Sequence, residues 1–129
     1  PLINEAWADK RTRQAILHAI DREEILRAVY GIADPKTLSC LYVDPNLIPD
    51  DVATYPYDPD RARALLQEAG VDPTTWGEIV FDTYYGDPGS LSAMTAIQAN
   101  LADIGVTVSI QQLDSATCCT SLSLICPLE

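Results

Sequence analysis

Apolar residues recur at intervals of three and four along four stretches of the chain, which is the pattern of an amphipathic helix. A face of that kind has to pack against another element, so the four helices are expected to share one core. The stretches are Lys10–Ala19, Arg22–Tyr30, Pro59–Ala69 and the residues between Ser90 and Gly105.

The residues at the ends of these stretches support the assignment. Side-chain oxygens at the predicted N-caps accept hydrogen bonds from the free amides of the first turn. Glu24 lies three residues after Asp21 and completes a capping-box-like arrangement, and Pro59 occupies the first helical position, where its missing N–H costs nothing. Glycines typically end helices in the left-handed conformation. The predicted N-caps are Asp21, Asp58 and Ser90, and the predicted terminating glycines are Gly31, Gly70 and Gly105.

Two stretches have the character of strands. Residues Glu78 to Tyr85 are rich in β-branched and aromatic side chains, and Val106 to Leu113 alternates apolar with polar residues. The fourth predicted helix lies between them, so the order is strand, helix, strand. This order predicts a C-terminal βαβ unit with parallel strands. The fold class is therefore α/β, with helices packed on a small sheet.

Between the second and third predicted helices, residues 32–57 show no lasting periodicity and contain four prolines, Pro35, Pro45, Pro49 and Pro56. Apolar residues are too frequent here for a free tether, so we interpret the stretch as a long ordered connection within one domain. The chain has 129 residues, of which 47% are hydrophobic and 21% charged, the composition of a globular domain with its own core.

The formal net charge is −11, from 8 basic and 19 acidic residues. Such an acidic surface repels nucleic acid and anionic lipid. Nucleic acid is therefore not an expected partner. No apolar run approaches the ~20 residues that a membrane helix needs. The chain begins at Pro1 without a methionine or a secretory leader, which favours a start inside a longer protein.

Four cysteines, Cys40, Cys118, Cys119 and Cys126, lack the paired spacing of a metal site, and a disulfide from Cys126 to Cys118 or Cys119 stays open. The acids between Asp44 and Asp60 lack the spacing of a calcium loop. We therefore expect no metal and no cofactor. Residues 1–117 are interpreted as the domain, and residues 118–129 as an irregular tail, either vector-derived or native.

No arrangement of residues predicts catalysis. The chain has a single histidine, His18, in the middle of a predicted helix and without a neighbouring nucleophile, so a structural role is expected for it. Gly86 and Gly89 are not followed by the lysine of a phosphate loop. No catalytic residues are assigned, and the chain is predicted not to be an enzyme.

Residues 55–70 read YPYDPDRARALLQEAG. This segment resembles a signature of family 5 of the bacterial extracellular solute-binding proteins, the substrate-binding components of ABC importers for peptides, oligopeptides or nickel. Three further stretches resemble the same family in the same order, namely Asp9–Ile25, Phe81–Pro88 and Ala96–Val108.

The resemblance implies a fragment of one lobe of a type II periplasmic-binding-protein-like fold. It also implies capture of peptides or similar small solutes outside the cytoplasmic membrane, in the periplasm or extracellularly, with or without a lipid anchor. The implied partners are the solute and the membrane permease subunits. Family members are several times longer, and their tryptophan-x-x-aspartate-tyrosine segment would follow this chain, so we expect an incomplete site. The alternatives are a stand-alone interaction module and, ranked last, a small hydrolase.

Tyr84, Tyr85, Gly86 and Asp87 follow the first predicted strand. Parallel α/β sheets bind ligands at the carboxyl ends of their strands. We therefore predict that in the intact protein the tyrosines pack on the solute and Asp87 faces a ligand amine. The alternative is a plain turn with the tyrosines in the core. Cutting a lobe from its partners also exposes apolar surface, so the fragment is predicted to dimerise through strand edges Ile79–Tyr85 or Val106–Leu113.

Overall fold

The computed structural model describes residues 5–31, 53–114 and 117. Predictions that concern the connection 32–52, the cysteines and the tail lie outside these residues. Among the described helices, none has both the length and the apolar character needed to cross a membrane. In chain order the elements are α1 (Glu5–Ala8), α2 (Lys10–Ala19), α3 (Arg22–Tyr30), α4 (Pro59–Glu68), a 3₁₀ turn (Pro73–Trp76), β1 (Ile79–Thr83), α5 (Pro88–Asp103) and β2 (Val108–Gln112).

The packing of α2 against α4 forms the densest part of the core. Small residues let the two helices approach closely, since Ala15, Ala19 and Ala62 are all fully buried. Leu65 and Leu66 extend this contact from α4, and the C-terminal part of α5 and the residues around β2 complete the cluster. The helix bounds and their apolar faces confirm the pattern predicted for these two segments.

Helix α3 begins at the predicted N-cap, where the Asp21 side chain accepts a hydrogen bond from the Glu24 backbone N–H at 2.9 Å. The reciprocal half of the capping box is absent, because the Glu24 carboxylate pairs with Arg27 at 2.9 Å. Instead, the Asp21 backbone N–H donates to Asn100 Oδ1 at 3.0 Å. A side chain on α5 thus satisfies the start of α3, and the two helices are tied by a polar contact.

The sheet has two parallel strands, as the strand-helix-strand order predicts. Ile79 pairs with Val108, and the register continues to Thr83 opposite Gln112. Helix α5 covers one face of the sheet, where Val108 is buried and Ile79 packs against the core. Both strands are shorter than predicted, since each of them ends where its partner's hydrogen bonds end.

Helix α5 begins earlier than its predicted N-cap. Asp87, not Ser90, caps the helix, and its side chain accepts from the Ser90 backbone N–H at 2.8 Å. Pro88 then occupies the first helical position, as Pro59 does in α4. Pro88 and Gly89 therefore belong to the first turn of α5, which follows directly on the turn after β1. At the other end, Gly105 has a positive φ of 87° and terminates the helix as predicted.

Residues 53–58 cross the outside of α2 and α3 in an extended path. Arg22 donates to the carbonyl of Tyr55, and His18 Nδ1 donates to the carbonyl of Pro56 at 2.8 Å. The His18 ring also meets the edge of the Tyr55 ring, with centroids 5.5 Å apart. His18 has the structural role expected for it, and Tyr55 holds the connection against the helices.

The short α1 and the 3₁₀ turn were not predicted. The two elements meet through Trp7 and Trp76, whose ring centroids lie 5.1 Å apart. Asp72 caps the 3₁₀ turn by accepting from the Thr74 backbone N–H at 3.0 Å. The pair of tryptophans joins the N-terminal residues to the segment that leads into β1.

Candidate functional site

The four predicted site residues lie where the two strands end at their carboxyl edge. Thr83, the last residue of β1, is buried, and its Oγ1 accepts from the Tyr85 backbone N–H at 3.1 Å. The carbonyl of Thr83 accepts from the Leu113 backbone N–H at 2.8 Å, which ties this edge to the end of β2. The turn after β1 is thus held from both sides, and its side chains are presented by a fixed backbone.

Tyr84 and Tyr85 form an exposed aromatic pair. Their ring centroids are 4.3 Å apart with planes inclined at 30°, and their hydroxyl groups lie 2.9 Å from each other. Tyr84 is 48% exposed and Tyr85 51% exposed. The interpretation of these tyrosines as core residues is therefore wrong, because half of each side chain faces solvent in the described structure.

Asp87 is exposed and has a local structural task. Its Oδ1 accepts from Ser90 at the start of α5, and its backbone carbonyl accepts from the Leu91 N–H at 3.1 Å. Hydrogen bonding from the Ser90 side chain, and then from its backbone N–H, lowers the pKa of Asp87 below the usual 3.8. The group is therefore a carboxylate at neutral pH. The interaction with a ligand amine stays a prediction.

Gly86 lies directly beneath a side chain of β2. A Cβ added to Gly86 would collide with the carboxamide of Gln112, whose Cδ would be 3.4 Å away. Gln112 ends β2 opposite Thr83 and is exposed. A side chain at position 86 would force the Gln112 carboxamide to move, so glycine lets the two residues approach closely.

Two residues of this edge were missed in the sequence. Gln112 is one, and Tyr30 is the other, since a Cβ added to Gly89 would lie 4.0 Å from Tyr30 Cε1. Tyr30 ends α3 and is 54% exposed. Gln112 had a signal in the sequence, because parallel pairing brings the carboxyl end of the second strand to the same edge as the first. Tyr30 had none, since its position depends on the packing of α3 against α5.

Two surface cavities lie away from these residues. One of about 310 Å³ is bordered by Arg22, Tyr55 and Tyr57, and one of about 570 Å³ by Asp9, Asp72 and Trp76. Neither is lined by any predicted site residue. Within the described ranges, no three His, Cys, Asp or Glu side chains are grouped so as to hold a metal ion.

Comparison with known proteins identifies the family. The model of the bacterial extracellular solute-binding proteins, family 5, middle part, matches residues 3–123. A provisionally named ABC transporter peptide-binding protein of Brucella ovis is 39% identical over 112 residues, which cover 86% of this chain and 21% of that protein. The di/tripeptide-binding protein 2 of Pseudomonas aeruginosa is 37% identical over 115 residues, with the same two shares, 86% and 21%.

Solved structures agree on the fold. An oligopeptide-binding protein of Thermus thermophilus, complexed with a pentapeptide, has 32% identity and a TM-score of 0.68, over 84% of this chain and 20% of that one. The structural neighbours are lobes of type II periplasmic binding proteins, consistent with the fold class expected for a fragment. The chain spans about a fifth of the length of the curated relatives it matches. It belongs to family 5 of the bacterial extracellular solute-binding proteins and corresponds to part of their middle region.

Proposed function

We propose that the whole protein containing this chain is the substrate-binding component of an ABC importer. It captures peptides or similar small solutes outside the cytoplasmic membrane, in the periplasm or at the cell surface with or without a lipid anchor, and delivers them to the permease. The observation that carries the proposal is the family match over residues 3–123. The names of the relatives in Brucella and Pseudomonas, which refer to peptide binding, supply the solute class.

The carboxyl edge of the sheet is the part of this chain that meets the solute. Tyr84 and Tyr85 offer about half of their surface there, and tyrosine combines apolar area with a polar tip. Gly86 and Asp87 complete the turn beside them. The groups come from one side only, so a second lobe has to close over them, and the solute stabilises the closed state. Such a protein binds and releases its solute without chemical change, and no enzymatic activity is proposed.

Titration of the whole protein, freed of bound solute by unfolding and refolding, tests the proposal. Trialanine, alanylphenylalanine and a pentapeptide are the probes, and calorimetry is the measurement. Tyr85→Ala is expected to weaken binding by roughly 10-fold, since aromatic anchors commonly contribute more than 1 kcal/mol. Tyr57→Ala is the matched control, because Tyr57 is 43% exposed and lies on another surface. No heat with any peptide, or equal losses in the two variants, would contradict the proposal.

A stand-alone interaction module is the second candidate, and the 129-residue chain alone distinguishes it. If the chain is one side of a clamp, the same peptides leave its melting temperature unchanged at millimolar concentration. A ligand at 100 times its dissociation constant would stabilise a complete site by about 2.7 kcal/mol. Stabilisation of the isolated chain would therefore show that its site needs no second lobe.

A further inference from the structure

The carboxyl edge of the sheet is built from elements without basic residues. Every lysine and arginine of the chain lies at or before Arg63, so residues 64–129 contain neither. This range includes β1, the turn after it, α5 and β2. Four of the arginines on α2, α3 and α4 form ion pairs with acids on or beside their own helices, namely Arg11 with Asp9, Arg27 with Glu24, Arg61 with Glu68 and Arg63 with Asp60.

A solute carboxylate at this edge would therefore meet no opposite charge from the sheet and its helix. It would instead lie near Asp87, whose lowered pKa keeps it ionised at neutral pH. Like charges at short distance disfavour binding, so the edge discriminates against a carboxylate. The neutral polar groups at this edge include the paired hydroxyls of Tyr84 and Tyr85 and the carboxamide of Gln112.

Among the neutral groups, Gln112 is best placed to distinguish one solute from another. Its carboxamide has both donors and acceptors, which match an amide or hydroxyl group on a solute. Gly86 lies directly beneath it, so the carboxamide fills the place that a side chain at 86 would take. Gln112 pairs with Thr83 in the strand register and therefore lies at the same edge of the sheet as the tyrosine pair.

We propose that Gln112 is a specificity-determining residue and that this edge takes a hydrogen-bonding part of the solute that carries no negative charge, such as a peptide amide. The inference rests on the proposed function and adds to it which chemical group faces this lobe. Gln112 acts in two ways. It packs over Gly86 and so positions the turn, and it offers its carboxamide to the solute.

The neighbouring Gln111 is a control within the same strand. It is exposed like Gln112, but successive side chains of a strand point to opposite faces, so it faces away from Gly86. Identical substitutions at 111 and 112 change the charge and the side-chain size equally, at neighbouring positions of one strand. Any difference between them in solute selectivity therefore reports on the edge.

The experiment titrates the whole, solute-free protein and its variants with trialanine and alanylphenylalanine, each as the free acid and as the C-terminal amide. Gln112→Ala is expected to weaken both forms by about 3- to 10-fold, the effect of one lost hydrogen bond. Gln111→Ala is expected to change binding by less than about 2-fold. Gln112→Lys is expected to leave the acid-to-amide affinity ratio within about 2-fold of wild type, since no carboxylate faces it.

Melting temperatures of all variants should stay close to wild type, because both glutamines are exposed. Equal affinities for Gln112→Ala and wild type would overturn the inference. A shift of the ratio by about 10-fold or more toward the free acid in Gln112→Lys would also overturn it, because a carboxylate would then face this edge. In both cases the proposed function would still be supported if the wild-type protein binds peptides. If the wild-type protein binds none of the peptides, the proposed function and the inference about Gln112 both fail.

Discussion

The helical side of this chain, formed by α2 and α4, buries its apolar residues more completely than the sheet side, formed by β1, β2 and α5. Between α2 and α4 the contacting alanines are completely buried, and Leu65 and Leu66 retain less than 5% of their exposed surface. Among the described residues, α5 covers one face of the sheet, and on the other face Val80 is 51% exposed. Exposed large apolar side chains are typical of surface that packs against another element.

The difference also separates the part of the chain that contributes most to stability from the part that carries the proposed site. The helices contribute buried apolar area, which is the main source of folding free energy. The sheet contributes fewer buried residues, but it fixes Thr83 and Gln112 at one edge, beside the tyrosine pair. A two-stranded sheet has little stability of its own, so the precision of that edge depends on α5 and the helical core.

The same substitution in the buried core and on the exposed face of β1 should give the largest difference. Val106 is 1% exposed within the core, whereas Val80 is half exposed on the open face of β1. Val106→Thr is expected to lower the free energy of unfolding by about 1–3 kcal/mol, because it buries a hydroxyl among apolar groups. Val80→Thr keeps the branched shape and places the hydroxyl in water, so a change within about 0.5 kcal/mol is expected.

Urea denaturation of the 129-residue chain, followed by far-UV circular dichroism, measures both changes. The slope against urea should stay the same in the two variants, since neither changes the area exposed on unfolding. Losses of equal size would show that the open face contributes to the folding core as much as Val106 does.

Self-association of the isolated chain through the strand edges Ile79–Tyr85 or Val106–Leu113 stays a prediction, and Val80 is an exposed apolar residue of the first segment. Burial of a valine in a dimer contributes about 1.5 kcal/mol, so Val80→Lys is expected to weaken association by roughly 10-fold. Leu17→Lys is the control on the helical side, because Leu17 on α2 is 37% exposed. Sedimentation equilibrium gives the masses, and a monomeric wild-type chain at the highest concentration would refute the prediction.

Local signals in the sequence predicted most of the helices correctly. Asp58 with Pro59 and Asp21 before α3 mark helix starts through hydrogen bonds within four residues, so no tertiary information is needed. The start of α5 was misassigned to Ser90, although Asp87 with Pro88 repeats the pair that begins α4. Both Asp87 and Ser90 satisfy the cap pattern, and the rule that proline favours the first helical position would have decided between them.

The contacts that shape the edge required the fold itself. The pairing of Asp21 with Asn100 and the packing of Gln112 on Gly86 join residues far apart in the chain, and no periodicity encodes them. The order strand, helix, strand is enough to locate the carboxyl edge, so the position of the four predicted residues follows from the sequence. Their role as a binding site stays a prediction. Tyr30 is missing from the predicted set, because it comes from a helix whose position relative to α5 only the packing determines.

The smallest expected effect is a pH dependence on the helical side. Asp9 caps α2, and its pKa is lowered to about 2, chiefly by hydrogen bonds from the Arg11 side chain and backbone. A carboxyl whose pKa falls on folding stabilises the folded state above its unfolded pKa of 3.8, and that contribution disappears as the pH drops to about 2. Asp9→Asn still caps but does not titrate, so its melting temperature should fall less than that of wild type between pH 4 and pH 2.

Asp60→Asn, which removes one charge from a side chain that is 94% exposed, is the control. If both variants lose melting temperature in parallel with wild type, the cap of α2 contributes nothing to acid sensitivity.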